Sequence, residues 1–276
     1  MSMALNLQTA VFLQAENISR VFPASRGFWQ KKTPEKNALR DVFLFLRERE
    51  TVGLIGASGS GKSTLLKILL GMESADSGTV RCQGQLIKPG SVNSLKGYRR
   101  QVQYIPQDPA SSLAPHQSVA ALIREPVQRL RAETLSDKQL KGWMDRVGLR
   151  EEVLSKKAGA LSGGQAQRVV IARALALHPA FLFADEPVSG LDLPLREQIK
   201  QLLNDLTDEL GMGLLLVTHD FSLLPGLCDR TLVMHQGEIV EDGATRNLMN
   251  FPRHAYTRQL IQAIPRLDSV RRRCAD

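Results

Sequence analysis

Short apolar runs recur along the chain and predict strands that are buried on both faces of a parallel sheet. The runs are Thr51 to Ile55, Phe181 to Ala184, Leu214 to Val217 and Thr231 to Met234. Residues 11–22 also carry a strand-like pattern, and residues 38–55 predict two strands, the second of which is the first of these runs. The apolar pattern therefore predicts a sheet that other elements cover.

Between the strands, apolar residues recur at three- and four-residue steps, which is the spacing of amphipathic helices. The clearest case runs from Leu195 to Leu210, with Pro194 near its start and Gly211 past its end, as helix termini favour. Further helices are predicted over Lys62 to Leu70, Val119 to Leu130, Lys138 to Val147 and Ser162 to Leu177. Alternation of strands with helices predicts an α/β fold with a mainly parallel sheet.

Length and composition are those of a soluble globular protein. The chain has 276 residues, of which 43% are hydrophobic and 23% are charged. At ~150 residues per domain this allows one large domain or two small ones. No apolar stretch approaches the ~18 residues that span a bilayer, and no signal-peptide pattern opens the chain. We therefore expect a cytoplasmic protein, or one held at a membrane only through partners.

Neither the charge nor the cysteine content of the chain indicates nucleic-acid binding, metal binding or disulfide formation. The net charge is +8, but the basic residues are spread thinly. We interpret them as a solvated surface and expect no nucleic-acid partner, with proximity to anionic lipid as a second interpretation. Cys82, Cys228 and Cys274 form neither a CxxC pair nor a metal-ligand spacing, so reduced thiols are expected.

A glycine-rich loop follows the first apolar run and opens the first helix. It fits the pattern GxxxxGK followed by Ser or Thr without a mismatch, and its residues are Gly56, Ala57, Ser58, Gly59, Ser60, Gly61, Lys62, Ser63 and the adjoining Thr64. Glycines let the backbone N–H groups turn inward around phosphates, and the helix adds its positive end. Lys62 offers a cation to the phosphate oxygens and Ser63 a hydroxyl to Mg²⁺. The loop predicts binding of a nucleoside triphosphate.

Three polar residues follow two other buried strands. Asp185 and Glu186 come directly after Phe181 to Ala184, and His219 follows Leu214 to Val217. Because open α/β sheets bind ligands at the carboxyl ends of their strands, we expect these side chains near the glycine loop. Asp185 is predicted to hold Mg²⁺ through water. Glu186 is predicted to act as general base on the attacking water, and His219 to hydrogen-bond the γ-phosphate.

Five motifs in this order resemble those of the ATP-binding cassette (ABC) ATPases. They are the glycine loop, Leu161-Ser162-Gly163-Gly164-Gln165, Phe183-Ala184-Asp185-Glu186-Pro187, Ser189-Gly190-Leu191-Asp192 and Thr218-His219-Asp220. The resemblance spans nearly the whole chain. It implies a P-loop NTPase (RecA-like) core with a mainly parallel sheet, an antiparallel β subdomain, and an inserted α-helical subdomain at about residues 109–178.

The resemblance also implies roles for single residues. Gln107 resembles the Q-loop glutamine, which contacts Mg²⁺ and the attacking water, and Phe22 resembles the aromatic residue that stacks on adenine. Asp192 resembles the D-loop aspartate, which crosses to the other subunit. The stretch Leu161 to Gln165 resembles the signature motif, whose helix N-terminus caps the γ-phosphate held by a second subunit. ATP, Mg²⁺ and a head-to-tail pair of chains are therefore implied.

A narrower resemblance links the chain to the ATPases of peptide and nickel importers. It rests on Gln107-Asp108-Pro109-Ala110-Ser111-Ser112-Leu113-Ala114-Pro115, on Arg124-Glu125-Pro126, and on the tail from His254 to Leu260 and from Ala263 to Pro265. Ala114 and Ala255 depart from the group's usual Asn and Pro. The group implies an ATPase domain over residues 1–243 and a C-terminal extension over residues 244–276. The basic loop 26–36 resembles an insertion of the group's second ATPase.

The resemblance to this group also implies the partners of the chain and its cellular location. We expect an ATP-hydrolysing subunit that drives uptake of a peptide, nickel or a metal chelate. Its partners would be a second ATPase chain, two integral-membrane permeases and an extracytoplasmic binding protein. The second ATPase chain could be identical to this one, although the two chains usually differ in this group. The expected location is the cytoplasmic face of the inner membrane, as a peripheral subunit.

Three other classes remain open on sequence grounds. Non-transport ABC ATPases that act on ribosomes or DNA have two cassettes in one chain or a long coiled-coil insertion, and this sequence has neither. A scaffolding subunit with an inactive ATP site is disfavoured because each expected catalytic residue is present. An exporter subunit is disfavoured by the tail and by the lack of a fused membrane domain.

Overall fold

The strands and helices of the described residues form two sheets with helices packed on them. The computed structural model describes residues 10–23, 36–91 and 93–263. The strands are β1 (Val11–Phe22), β2 (Lys36–Arg47), β3 (Thr51–Ile55), β4 (Ser77–Cys82), β5 (Gln85–Ile87), β6 (Val102–Ile105), β7 (Phe181–Asp185), β8 (Gly213–Thr218), β9 (Arg230–His235) and β10 (Glu238–Ala244). The helices are α1 (Lys62–Leu69), α2 (Lys96–Gln101), α3 (Val119–Arg131), α4 (Asp137–Arg146), α5 (Gly163–Leu175), α6 (Leu193–Leu210), α7 (Thr245–Asn250) and α8 (Ala255–Gln262).

The larger sheet has six strands in the order β10-β9-β3-β8-β7-β6. All neighbouring strands are parallel except β10, which pairs antiparallel with β9. The smaller sheet has the order β2-β1-β4-β5 and is antiparallel throughout. The expected α/β fold with a mainly parallel sheet and an antiparallel β portion is confirmed.

Strand β7 explains why the central strands contain unbroken apolar runs. Phe181 and Phe183 pack in one hydrophobic cluster with the smaller sheet and α1, and Phe181 stacks on Phe12 with ring centroids 5.2 Å apart. Leu182 and Ala184 pack in the other cluster, with α3 to α6. Since successive side chains of a strand point to opposite faces, a strand covered on both faces needs an unbroken apolar run.

Strand order brings the carboxyl ends of three strands together. In the parallel pair β3–β8, Ile55 lies opposite Thr218, and in the pair β7–β8, Asp185 lies opposite Val217. Residues 56, 186 and 219, which follow these strands, therefore emerge at one edge of the sheet. This edge holds the candidate site described below.

The strands and helices predicted from apolar patterning are present within a few residues of the predicted bounds. Patterning missed β4, β5, β6 and β10 and the short helices α2, α7 and α8. These elements carry weak signals because they are short or largely solvated; β10, for example, has no buried position. The basic loop 26–36, apart from the backbone of Lys36, and the tail beyond residue 263 lie outside the described residues.

Two of the three cysteines lie in the described residues, and both are buried and not disulfide-bonded. Burial raises the pKa of Cys82 to about 11 and that of Cys228, with help from Asp229, to about 12. Both thiols are therefore protonated and unreactive at neutral pH, as expected for cysteines that only fill the core. None of the helices in the part of the chain that the structure describes is long and apolar enough to cross a membrane.

Candidate active site

The glycine loop joins the end of β3 to the start of α1, where two glycines are required for different reasons. A Cβ on Gly56 would lie 2.2 Å from the carbonyl oxygen of Met234 on β9. Gly61 has a φ of +112°, and a Cβ there would lie 2.5 Å from the carbonyl oxygen of Ala38. Larger residues at either position would push the loop off the neighbouring strands. The loop is thus fitted closely against β9 and β2.

Lys62, the first residue of α1, points back across the loop. Its Nζ donates to the carbonyl oxygens of Gly56 at 2.6 Å and Ala57 at 3.0 Å. Burial lowers the pKa of the Lys62 ammonium, while the carboxylates of Glu186 and Asp185 oppose that shift. The amine is therefore a buried cation held over the carbonyl oxygens of the loop.

Glu186 is held at both carboxylate oxygens. Gln107 Nε2 donates to Glu186 Oε2 at 3.2 Å, and His219 Nδ1 lies 2.9 Å from Glu186 Oε1. The Glu186 backbone has a φ of +46°, and its N–H donates to the Val217 carbonyl at 2.8 Å. A left-handed conformation costs a non-glycine residue about 1–3 kcal/mol, and such strain clusters at functional sites. The strained turn directs the Glu186 side chain to the same edge as Gln107 and His219.

Asp185 lies deeper than Glu186. It is 7% exposed, and the Tyr104 hydroxyl on β6 donates to its Oδ2 at 3.4 Å. Burial raises the pKa of Asp185, and the adjacent Glu186 charge raises it further. Burial, together with the Asp185 charge, also raises the pKa of Tyr104 to about 12, so the phenol stays protonated as a donor. Asp185 is therefore a buried carboxylate that accepts a hydrogen bond from a neutral phenol.

A cleft of about 230 Å³ brings ten of the predicted site residues together, whereas Gly56, Ala57, Ser60, Asp185 and Asp192 are not among its lining residues. It is lined by Phe22, Ala38, Ser58, Gly59, Gly61, Lys62, Ser63, Thr64, Gln107, Glu186 and His219. The Phe22 ring at the end of β1 is exposed, and the Arg20 guanidinium lies 5.1 Å from its centroid. The cleft thus joins an aromatic surface, a phosphate-type loop and a hydrogen-bonded carboxylate.

The stretch Leu161 to Gln165 does not line this cleft. Ser162 caps α5: its Oγ accepts from the Gln165 N–H at 3.3 Å, and Gln165 Oε1 accepts from the Ser162 N–H at 3.2 Å. A Cβ on Gly163 would meet no other described atom within 4 Å, whereas one on Gly164 would lie 2.9 Å from Leu195 Cδ2. The start of α5 is therefore a capped helix end with an open surface at Gly163.

Asp192 has a structural role within its own chain. Its Oδ1 accepts from the Leu195 N–H at 3.0 Å and so caps α6. Such a cap contributes about 1 kcal/mol to a helix. The role across a subunit interface, which the sequence implies for Asp192, stays a prediction.

Sequence reasoning missed two tyrosines of this region. Tyr104 contacts Asp185, and the hydroxyl of Tyr256 accepts from the Ala57 N–H at 2.9 Å. Tyr256 lies in the tail whose sequence resembles peptide and nickel importers, but no role was assigned to it. Neither contact could be read from the sequence, because each joins elements that are far apart along the chain.

The parallel sheet with a glycine loop between β3 and α1 defines a P-loop nucleoside triphosphatase. Comparison with known proteins narrows this class: the sequence profile described as ABC transporter matches residues 39–189. The chain belongs to the ABC transporter family and is an ATP-binding ATPase of that family.

Two relatives and one solved structure illustrate the similarity. The oligopeptide transport ATP-binding protein OppF of Lactococcus lactis subsp. lactis (strain IL1403) is 37% identical over 263 residues, which cover 94% of this chain and 82% of OppF. The glutathione import ATP-binding protein GsiA of Escherichia coli (strain K12) is 38% identical over 95% of this chain, but the match covers 42% of GsiA. The dimeric ATP-binding cassette MJ0796 bound to ADP and Pi superposes with a TM-score of 0.74 at 28% identity, over 85% of this chain and 99% of MJ0796.

Proposed function

We propose that this chain is the ATP-hydrolysing subunit of an importer for peptides or small peptide-like compounds. The observation that carries the proposal is the similarity to OppF and GsiA over 94–95% of the chain, which extends well beyond residues 39–189. The extended match takes in the tail motif around Tyr256. The sequence also implies uptake of nickel or a metal chelate, but the names of OppF and GsiA mention neither. We therefore treat these two substrates as secondary candidates.

In the proposed mechanism, the loop amides and Lys62 bind the β- and γ-phosphates of ATP. Ser63, Gln107 and Asp185 would hold Mg²⁺, which supplies charge neutralisation at the phosphates. Their hydroxyl, amide and carboxylate oxygens are the hard donors that Mg²⁺ takes, and Mg²⁺ sites commonly use one or two carboxylates together with phosphate. The site fits a cation for a second reason: Asp185 is a buried carboxylate beside a neutral phenol, so a cation would offset the cost of its burial.

Glu186 is proposed as the general base. Hydrogen bonds from Gln107 and His219 fix its carboxylate at the cleft surface, where it would take a proton from the water that attacks the γ-phosphate. His219 can donate to Glu186 through Nδ1 and to the γ-phosphate through Nε2 at once only as the doubly protonated imidazolium. Phe22 is proposed to stack on the adenine ring, as the exposed aromatic side chain at the cleft.

The complete site is proposed to need a second ATPase chain. Leu161 to Gln165 lie outside the cleft of their own chain, and MJ0796 is described as dimeric. Placed head to tail, the partner's helix N-terminus would cap the γ-phosphate, and Asp192 would lie near the interface. Two permeases, an extracytoplasmic binding protein and a peripheral location at the cytoplasmic face of the membrane complete the proposed assembly.

We propose that the chain is divided into an ATPase domain and a C-terminal extension, as in the importer group that it resembles. An ATPase domain would span residues 1–243, with a helical subdomain at about 109–178 that includes α3, α4 and α5 and contacts the permeases. Residues 244–276 would form a C-terminal extension.

Replacing Gly163 with Asp tests the shared site. We expect turnover in the assembled transporter to fall about 100-fold, because a carboxylate would replace a donor surface facing the γ-phosphate. ATP binding by the monomer and its thermal stability should not change, since the position is open within the chain. Gly97→Asp is the matched control, because a Cβ at Gly97 on α2 also meets no other described atom within 4 Å and α2 lies outside the proposed helical subdomain. Full turnover by the Gly163 variant would reject a role for this surface.

Co-purification tests the transport assignment. A tagged chain extracted from native membranes should bring down two integral-membrane proteins, and its ATPase rate should rise when a peptide-loaded binding protein is added. Recovery of ribosomes or nucleic acid instead, lost at higher salt, would favour a non-transport ATPase. Stimulation by a compound offered from the cytoplasmic side, with no binding protein, would favour an exporter.

A further inference from the structure

The segment that follows β10 contacts the phosphate loop. The Tyr256 hydroxyl on α8 accepts from the Ala57 N–H at 2.9 Å, a contact between residues 199 positions apart. The Tyr256 ring lies against the His235 imidazole at the end of β9, with ring centroids 3.8 Å apart and an interplanar angle of 31°. The tyrosine therefore fills the space between the end of β9 and the first turn of the loop.

Ala57 is bonded on both its backbone groups. Its N–H donates to Tyr256, and its carbonyl oxygen accepts from Lys62 Nζ at 3.0 Å and from the Ser60 N–H at 3.2 Å. Ala57 itself is exposed, so packing does little to hold it. A continuous line of hydrogen bonds thus joins the Tyr256 hydroxyl, Ala57 and the Lys62 ammonium.

The tyrosine is itself held in place by a carboxylate on β10. Glu241 Oε1 accepts from the Arg253 N–H at 2.8 Å, and Glu241 Oε2 accepts from the His254 N–H at 3.0 Å. His254 Nδ1 then accepts from the Tyr256 N–H at 3.2 Å and caps α8. Glu241 therefore fixes the two residues that precede α8, and through them the position of Tyr256.

We propose that Tyr256 is a positioning residue for ATP binding. Its hydroxyl holds the first turn of the loop in the form that lets Lys62 and the loop amides reach phosphate, so the segment from Arg253 to Gln262 sets the nucleotide affinity of this site. The inference rests on the proposed assignment of residues 56–64 to phosphate binding. Tyr256 does not line the cleft and acts through Ala57, so it does not touch the reacting atoms.

Replacing Tyr256 with Phe removes the hydroxyl and keeps the ring against His235. Without the hydroxyl the loop spends part of its time in forms that do not bind phosphate, and the apparent dissociation constant is the intrinsic one divided by the fraction of molecules whose loop can bind. We expect the dissociation constants of MgADP and of Mg²⁺ with the slowly hydrolysed analogue ATPγS to rise about 3- to 10-fold. The KM for ATP should rise equally, while kcat at saturating ATP stays within about twofold.

A second variant disturbs the contact between Tyr256 and Ala57 indirectly, through the residues that hold Tyr256 in place. Glu241→Gln places an amide against the two backbone donors, loosens the start of α8, and should raise both dissociation constants in the same direction. Because both changes act through one contact, the double variant should bind nucleotide no more weakly than the weaker-binding single variant. Additive effects would mean that Glu241 acts on the loop by another route and would overturn this part of the proposal.

The matched control is Tyr98→Phe. The Tyr98 hydroxyl is buried and donates to the Leu69 carbonyl at 2.6 Å, away from the cleft. This variant should lower the thermal midpoint and leave nucleotide affinity unchanged. A folded Tyr256→Phe protein with unchanged affinity, or an equal loss of affinity in Tyr98→Phe, would overturn the proposal. Lys62→Ala, tested in parallel, separates failure of the Tyr256 proposal from failure of the assignment of residues 56–64 to phosphate binding. Normal nucleotide binding by Lys62→Ala would refute that assignment itself.

Discussion

Replacing Glu186 with Gln is expected to lower ATP turnover by about 10²- to 10⁴-fold while ATP binding is nearly unchanged. General base catalysis contributes factors of this size. The amide cannot take a proton from water, but it keeps the shape of the side chain between Gln107 and His219. Lys62 and the loop are untouched, so the phosphate-binding groups remain. Phosphate release in the steady state and direct titration with ATP measure the two quantities separately.

The control for Glu186 is Glu197→Gln on α6. It makes the same chemical change at an exposed position that does not line the cleft, so turnover should stay normal. Turnover of the Glu186 variant within about threefold of the parent would remove Glu186 from the proposed role. In the proposed pairing, the slow variant should also accumulate ATP-bound dimers, which sedimentation would detect.

Replacing Lys62 with Ala is expected to weaken ATP binding about 10- to 100-fold. A hydrogen bond to a charged group contributes about 1.5–3 kcal/mol, and each 1.4 kcal/mol is about tenfold in affinity. The ammonium sits over the loop carbonyls of Gly56 and Ala57, so no other described cation takes its place there. Titration of the folded variant with MgATPγS measures the loss.

Lys67→Ala is the matched control, because Lys67 lies on the same helix but is exposed. It should bind nucleotide like the parent. If Lys62→Ala bound ATPγS with parental affinity, the loop would not be the phosphate site. Together the Lys62 and Glu186 variants separate phosphate binding from chemistry.

The sequence predicts the central strands well, for a physical reason that β7 illustrates. A strand with packed layers on both faces needs an unbroken apolar run, and in β7 this run is visible in the sequence as the four residues Phe181 to Ala184. Strand β4 gives no comparable signal, because only Val80 and Cys82 of its six residues are buried. Elements of the smaller sheet that lie near the surface could therefore not be located from patterning alone.

The glycine loop and the start of α5 were determined by the sequence itself. Each could be recognised from the sequence because its residue pattern lies within a few consecutive positions, such as the capping pair Ser162 and Gln165. Only the tertiary structure decided that Glu186 bonds to Gln107, 79 residues away, and to His219, 33 residues away, and that Tyr256 reaches Ala57. These contacts depend on strand order and register, which local periodicity does not encode. The sequence therefore identified the candidate reacting groups, whereas the fold determined the distances between them.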